Sequence, residues 1–271
     1  MTGWAEWLAA HGEADAAEVA EAERVLEAAA LRPGDTVLDV GAGLGLLTLA
    51  AHERIGDGWV IAVDPSVGAL EELLRLAHAA NANGIMYLLG NAEVLPLPDA
   101  SVDAAVLRSV LVHVRDPDAA VEELARVLRP DGRLSLGEPL VADSGTLSTA
   151  VDWSPLGELG ERVAALWAEA AAADRLRRLD ADALTARVRA AGFTAVEAAV
   201  EESGEAWLAT EDTLDARLDA TDGPATPSLR ERWHAAFTPP EVDALVAHVR
   251  SLAGTTISSV RPQLFLSARR S

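Results

Sequence analysis

The sequence predicts an α/β protein built on a doubly wound, mostly parallel β-sheet. Three observations carry that prediction. Short apolar or β-branched runs alternate with helical segments over residues 33–139. The first run, Thr36–Val40, feeds a glycine turn at Gly41, Gly43 and Gly45 that opens an Ala/Leu-rich helical stretch, Leu44–His52. Small or polar residues stand where each later strand should stop, at Asp64, Asn91, Arg108-Ser109 and Glu138.

Taken in order, residues 1–31 read as a helical cap, with Val19, Val25, Leu26 and Leu31 at roughly helical intervals among Glu and Ala. Arg32-Pro-Gly-Asp35 is a turn into the first strand. Trp59–Val63 is a second strand, and Trp59 is expected in the sheet core. A helix follows over 67–80, then a strand over Ile85–Leu89 and a loop over Leu95–Pro98. Val102–Leu107 is strand four, Asp118–Leu128 a helix ended by Pro130-Asp-Gly132, and Arg133–Gly137 strand five. Beyond residue 140 the rhythm changes. Leu156, Leu159, Val163, Leu166 and Trp167 form a helical stripe, Asp180–Ala191 is a helix, and Phe193–Val200 is β-like. Residues 201–255 read as helix and loop, with Thr238-Pro-Pro-Glu241 as a capping box. Pro262–Ala268 is a last strand. The expectation is one domain over 1–271, with a core at 33–139 and helical lid insertions at 141–179 and 201–255. Residues 180–200 and 261–269 complete a seven-stranded Rossmann-like sheet.

Composition narrows the function. The 271-residue chain has a net charge of −21 and no Lys, so a Schiff-base lysine is excluded. An acidic surface repels phosphate backbones and anionic lipid, which argues against nucleic acid and membrane as partners. There is no Cys, hence no disulfide, thiolate metal site or cysteine nucleophile. Half the residues are apolar, enough for a full core, but no run approaches the ~18 residues of a membrane span. The amino terminus lacks a signal-peptide pattern, so a cytoplasmic location is expected. His, Asp and Glu show no metal-ligand spacing, and a metal is not expected.

Glycines are needed at the turn because a Cβ would hold the backbone off a ligand or forbid positive φ. The following helix end then offers free N–H groups. Asp64 lies 21 positions after Gly43, the distance at which an acid ending strand two can accept two ribose hydroxyls. A dinucleotide site would want a third glycine at position 46, where Leu46 stands, and would not explain Asn91-Ala-Glu93.

Val37-Leu-Asp-Val-Gly-Ala-Gly-Leu-Gly45, Val63-Asp-Pro-Ser66, Gly90-Asn-Ala-Glu93 with Leu95-Pro-Leu-Pro98, Leu111-Val-His-Val-Arg-Asp-Pro117 and Ala125–Gly132 share one pattern. It resembles the class I S-adenosylmethionine (SAM)-dependent methyltransferases, in the small-molecule branch that includes the ubiquinone/menaquinone C-methyltransferases. The resemblance covers roughly residues 33–139. It implies SAM as cofactor, with Asp39, Gly41, Ala42 and Gly43 around its methionine part and Asp64 on the ribose. Pro65, Ser66, Asn91, Ala92 and Glu93 would lie by the adenine, and Arg108 and Ser109 would line the methionine end. The family more often has Asp at position 91; the Asn91 amide oxygen can still accept from the adenine amino group.

Methyl transfer needs orientation and water exclusion, and a base only where the acceptor must lose a proton. His113, in the segment after strand four, is the candidate base, and Glu138, at the end of strand five, the candidate for substrate contact. His248, on the apolar side of its helix, reads as a packed histidine. Trp4, Trp7, Trp153, Trp167, Trp207 and Trp233 fall outside the core, where aromatics could close an apolar pocket; Asp152 and Trp153 are the first substrate-side candidates. The Arg-rich 174–178 segment reads as a solvated helix face. The expected activity is methylation of a small apolar or aromatic metabolite at O or C, in a protein that could form a homodimer. The alternatives are a SAM-holding protein of the same fold that catalyses a rearrangement or only binds, and a nicotinamide oxidoreductase.

Overall fold

A computed structural model describes residues 14–141, 151–173, 179–220 and 227–271. Trp4, Trp7 and the 174–178 segment lie outside them. A seven-stranded sheet has the order β3-β2-β1-β4-β5-β7-β6. Its strands are β1 Thr36–Val40, β2 Trp59–Asp64, β3 Ile85–Leu89, β4 Val102–Arg108, β5 Leu128–Pro139, β6 Phe193–Leu208 and β7 Thr256–Arg270. The pairs β1–β2, β1–β4, β2–β3 and β4–β5 are parallel, and β5–β7 is antiparallel. The strand order reverses between β1 and β4, the position at which such sheets open a crevice beyond their carboxyl ends.

Helices cover both faces because the central strands are apolar on both. Leu38 and Val40 of β1 join one buried cluster with α4 (Pro117–Val127) and α6 (Ala181–Ala190). Val37, one residue out of phase, joins the opposite cluster with α1 (Ala16–Ala29) and α2 (Leu46–Ile55). The helix α3 (Val67–Ala79) buries Leu73, Leu76 and Ala77 beside Ala42 and Leu49.

Chain contacts define two compact units. One comprises Met1–Ala142, Arg175–Glu201 and Pro262–Ser271; the other comprises Asp143–Asp174 and Glu202–Arg261. The second unit holds α5 (Glu158–Ala173), α7 (Glu211–Asp219), α8 (Leu229–Ala236) and α9 (Pro239–Arg250). They pack around Trp153, Val163, Leu214, Trp233, Leu245 and Val249. The Thr238 box forms as its sequence predicts, with Glu241 accepting from the Thr238 N–H and hydroxyl, each at 2.8 Å.

Four expectations need correction. Gly45 is a left-handed N-cap (φ 93°), so α2 starts at Leu46. The helix expected through Leu128 ends at Val127, because Leu128 already pairs with Val102 in the sheet. Residues 201–208, read as helix or loop, are strand; β6 is a sheet edge where exposed Glu201 and Glu202 erase the apolar alternation. Trp59 is not in the core. It opens β2 and is 54% exposed, whereas the five residues after it are buried. Among the described residues no helix is long and apolar enough to cross a membrane, and no group of three His, Cys, Asp or Glu could hold a metal.

Candidate functional site

The turn after β1 is built from three glycines that do different work. Gly41, Gly43 and Gly45 all have positive φ (69°, 52° and 93°). A Cβ at Gly41 would stand 2.5 Å from Val110 Cγ2, and one at Gly45 would stand 2.1 Å from Leu73 Cδ1. Those two glycines let neighbouring side chains close in. At Gly43 a Cβ would meet, among the described residues, only the Gly41 carbonyl, at 4.0 Å. Its bare side faces open space, which is where a ligand can approach the backbone.

Asp64 ties this turn to the end of β2. Its Oδ2 accepts from the Gly43 N–H (2.9 Å) and its Oδ1 from the Ser66 N–H (2.8 Å). The Gly41 and Ala42 N–H groups donate to the Val63 carbonyl at 2.8 and 3.1 Å. Asp64 is therefore held in one orientation at 8% exposure, and among the described residues one lone pair on each oxygen is left for a pair of hydroxyl donors. Pro65 and Ser66 are exposed beside it, and the Ser66 side chain caps α3 by accepting from the Ala69 N–H.

A cavity of about 170 Å³ opens next to the turn, lined by Glu18, Asp39, Gly41–Leu44, Leu46, Leu47 and Arg108. Asp39, at the end of β1, is 1% exposed. Its Oδ2 accepts from the Thr48 hydroxyl at 2.5 Å, while its Oδ1 has no partner among the described residues. Burial, with a contribution from the nearby Asp64 charge, pushes its carboxyl up to about 7 against the Thr48 hydrogen bond. Arg108, at the end of β4, is the one cation among the lining residues. It donates to Glu21 Oε2 (3.0 Å) and Glu18 Oε1 (2.9 Å) on α1.

The raised Asp39 carboxyl has a consequence for stability. Its protonated form is preferred in the fold, so its contribution is complete below 3.8 and is lost as pH rises through about 7. In Asp39→Asn that dependence disappears. At pH 8 removing the charge returns on the order of 4 kcal/mol, and a new unpaired buried amide takes back about 1–3. The variant is expected to be roughly 2 kcal/mol more stable than the parent at pH 8 and no more stable at pH 4, by denaturant titration. Equal differences at both pH values would show that the Asp39 charge is not strained.

The other candidates separate. Asn91 is exposed and its amide oxygen accepts from the Val94 N–H at 2.9 Å, so it stabilises its own turn; Ala92 beside it is buried. Glu93 points to α4, where its Oε1 accepts from the Asp116 N–H at 2.9 Å. Ser109 sits at positive φ (56°), its N–H donating to the Gly137 carbonyl at 2.8 Å. His113 is exposed and is not among the residues lining the cavity. Glu138 is wholly buried: Oε1 accepts from the Val110 and Leu111 N–H groups (2.9 Å each) and Oε2 from the Val112 N–H (3.1 Å). Burial pushes its carboxyl up to about 7, opposed by those three donors and by Arg108. In the second unit, exposed Asp152 accepts from the Ser154 N–H at 3.0 Å. Trp153 packs edge-on against Trp233 with ring centroids 5.8 Å apart, and His248 Nε2 lies 2.7 Å from the Asp152 carbonyl oxygen.

Glu18 was not legible as a site residue, since 90 positions separate it from Arg108 and its local signature is that of a helix start. Thr48 was the one readable omission: a lone hydroxyl in an apolar helix, nine residues after Asp39.

These residues fit an adenosine-bearing amino acid. Asp64 suits a ribose diol, the open side of Gly43 admits close approach, and the unpartnered Asp39 Oδ1 suits an ammonium donor. Comparison with known proteins agrees. Residues 38–136 match the methyltransferase domain family. The chain is 49% identical over 112 residues to an uncharacterized methyltransferase of Mycobacterium tuberculosis (strain ATCC 25618 / H37Rv), covering 41% of each chain. It is 38% identical over 111 residues to the ubiquinone/menaquinone biosynthesis C-methyltransferase of Shewanella frigidimarina, covering 40% of this chain and 44% of that one. The match spans less than half the length of these curated relatives. A solved geranyl diphosphate methyltransferase in complex with SAM superposes with a TM-score of 0.56 at 18% identity, covering 100% of this chain and 92% of that one, which shows a shared fold. Residues 38–136 thus match the methyltransferase domain family, on a fold shared with a solved SAM-bound methyltransferase.

Proposed function

We propose that this protein transfers the methyl group of SAM to a small apolar or aromatic metabolite, at an oxygen or carbon atom. The observation that carries the proposal is the Asp64–Gly43 tie. It presents a fixed carboxylate and an uncovered backbone at the switch point of the sheet, where a ribose and the chain attached to it would lie. Asp64 would accept from the ribose hydroxyls, Pro65, Ser66, Asn91 and Ala92 would flank the adenine, and Asp39, Gly41–Gly43 and Arg108 would surround the methionine end. SAM, when bound, supplies an electrophilic methyl on a sulfonium that carries its own leaving group.

The chain's contribution is orientation and exclusion of water. Ala42, Leu46 and Leu47 give the cavity apolar walls, and a displacement gains most when its partners are held in line and desolvated. His113 is exposed, Glu138 is buried on the Val110, Leu111 and Val112 N–H groups, and neither is among the residues lining this cavity, so the proposal rests on orientation and desolvation without a protein base. The small-molecule class is supported by two relatives of this fold, one named for ubiquinone/menaquinone biosynthesis and one for geranyl diphosphate.

The test is product analysis with methyl-labelled SAM and a panel of quinol, phenol and isoprenoid acceptors. Label in the product is expected. Acceptor turnover without label would replace methyl transfer by a rearrangement, and stabilisation against unfolding by NAD(P) but not SAM would overturn the cofactor.

A further inference from the structure

Among the described residues, the cavity beside the glycine turn has an acidic wall, Glu18, Asp39 and nearby Asp64, and a single cation, Arg108. That cation is already engaged. Glu21 holds one terminal nitrogen and Glu18 the other, so two carboxylates share one guanidinium. The two are not equivalent. Glu21 is 21% exposed and does not line the cavity, which suits a fixed anchor of α1 to β4. Glu18 is 41% exposed, lines the cavity, and sits on the first turn of α1, where its Oε2 also accepts from the Asp15 N–H at 3.1 Å.

Among the described residues lining this cavity, a ligand carboxylate meets Arg108 as its one partner of opposite charge and Glu18 as a like charge on the same guanidinium. Three carboxylates around one cation are unfavourable, and the most solvated one gives way at least cost. We propose that Glu18 is a stand-in for the amino-acid carboxylate of the cofactor, so that docking of the first turn of α1 and binding of the methionine end compete for Arg108. The inference rests on the cofactor reading above and adds to it a specificity residue, Arg108, and a competing ligand within the chain. It makes carboxylate-bearing nucleosides bind against an internal competitor, while nucleosides without that group bind without one.

The two ideas separate with two probes, S-adenosylhomocysteine, which has the carboxylate, and 5′-methylthioadenosine, which lacks the whole amino-acid end. In calorimetric titrations Glu18→Gln, which keeps the cap but drops the charge, should bind S-adenosylhomocysteine about threefold more tightly. Arg108→Gln should bind it roughly tenfold or more weakly. Both variants should bind 5′-methylthioadenosine as the parent does, which also reports that the site is folded. Weaker or unchanged S-adenosylhomocysteine binding in Glu18→Gln overturns the proposal, as does an Arg108→Gln loss of equal size for both probes. If the parent binds neither nucleoside, the cofactor reading itself fails and takes this one with it.

Discussion

Replacing Asp64 with Ala is expected to weaken S-adenosylhomocysteine binding about 100-fold. The substitution removes two sets of hydrogen bonds. On the ligand side, each oxygen has one lone pair committed to a backbone N–H, from Gly43 or Ser66, and one left for a ribose hydroxyl. Hydrogen bonds to a charged group contribute about 1.5–3 kcal/mol each, and losing two removes roughly 3 kcal/mol or more, two decades of affinity. On the protein side, Ala frees the Gly43 and Ser66 N–H groups, so a turn already held at positive φ loses one of its ties. The expected cost in stability is about 1–2 kcal/mol. Asp64→Asn should fall between parent and Ala, because one amide oxygen can serve one donor while the NH₂ faces the other. Because 5′-methylthioadenosine carries the same ribose, its affinity should fall with that of S-adenosylhomocysteine, the opposite of the pattern expected for Arg108→Gln. Unchanged calorimetric affinity in Asp64→Ala would remove Asp64 from the site.

What could be read from the sequence and what could not follow the range of the forces involved. Thr36–Val40 and Ile85–Leu89 are legible to the residue because each is a short apolar run between breakers, although only β1 is buried and β3 lies half-exposed at the sheet edge. The glycine turn and Asp64 were legible because both obey a local geometric rule. The division of labour among Gly41, Gly43 and Gly45 was not, since it depends on Val110 and Leu73 arriving from distant segments. Trp59 shows the limit of composition: a large aromatic opening a strand reads as core, yet the strand's first residue is exposed while the five after it are buried. Glu93 and Glu138 were found at strand ends, as the site rule demands, but the rule cannot say toward what a carboxylate points. Glu93 turned to α4 and Glu138 to the 110–112 turn because each met unpaired backbone donors there.

Glu138 therefore carries the second large expectation, with a different meaning from the one its position first suggested. In Glu138→Ala the Val110, Leu111 and Val112 N–H groups lose their acceptor in a fully buried place. At about 1–3 kcal/mol for each unmatched donor, and with the burial cost of the carboxylate relieved in return, the net loss is expected near 4 kcal/mol. For a chain of this size that lowers Tm by roughly 10 °C, measurable by calorimetry. The sign with pH is separate: the carboxyl is raised from 4.5 to about 7, so its own contribution is complete below 4.5 and fades as pH climbs through about 7. The deficit of Glu138→Ala should accordingly be larger at pH 4 than at pH 8. The effect reaches the site through one link. Val110, fixed by Glu138, stands where a Gly41 Cβ would be, so loosening Val110 loosens the wall against which the glycine turn is packed. S-adenosylhomocysteine affinity should fall together with Tm. A Glu138→Gln variant that keeps its Tm and cofactor affinity but loses turnover at saturating SAM would restore Glu138 to the substrate; a parallel fall in Tm and cofactor affinity makes it a positioning residue.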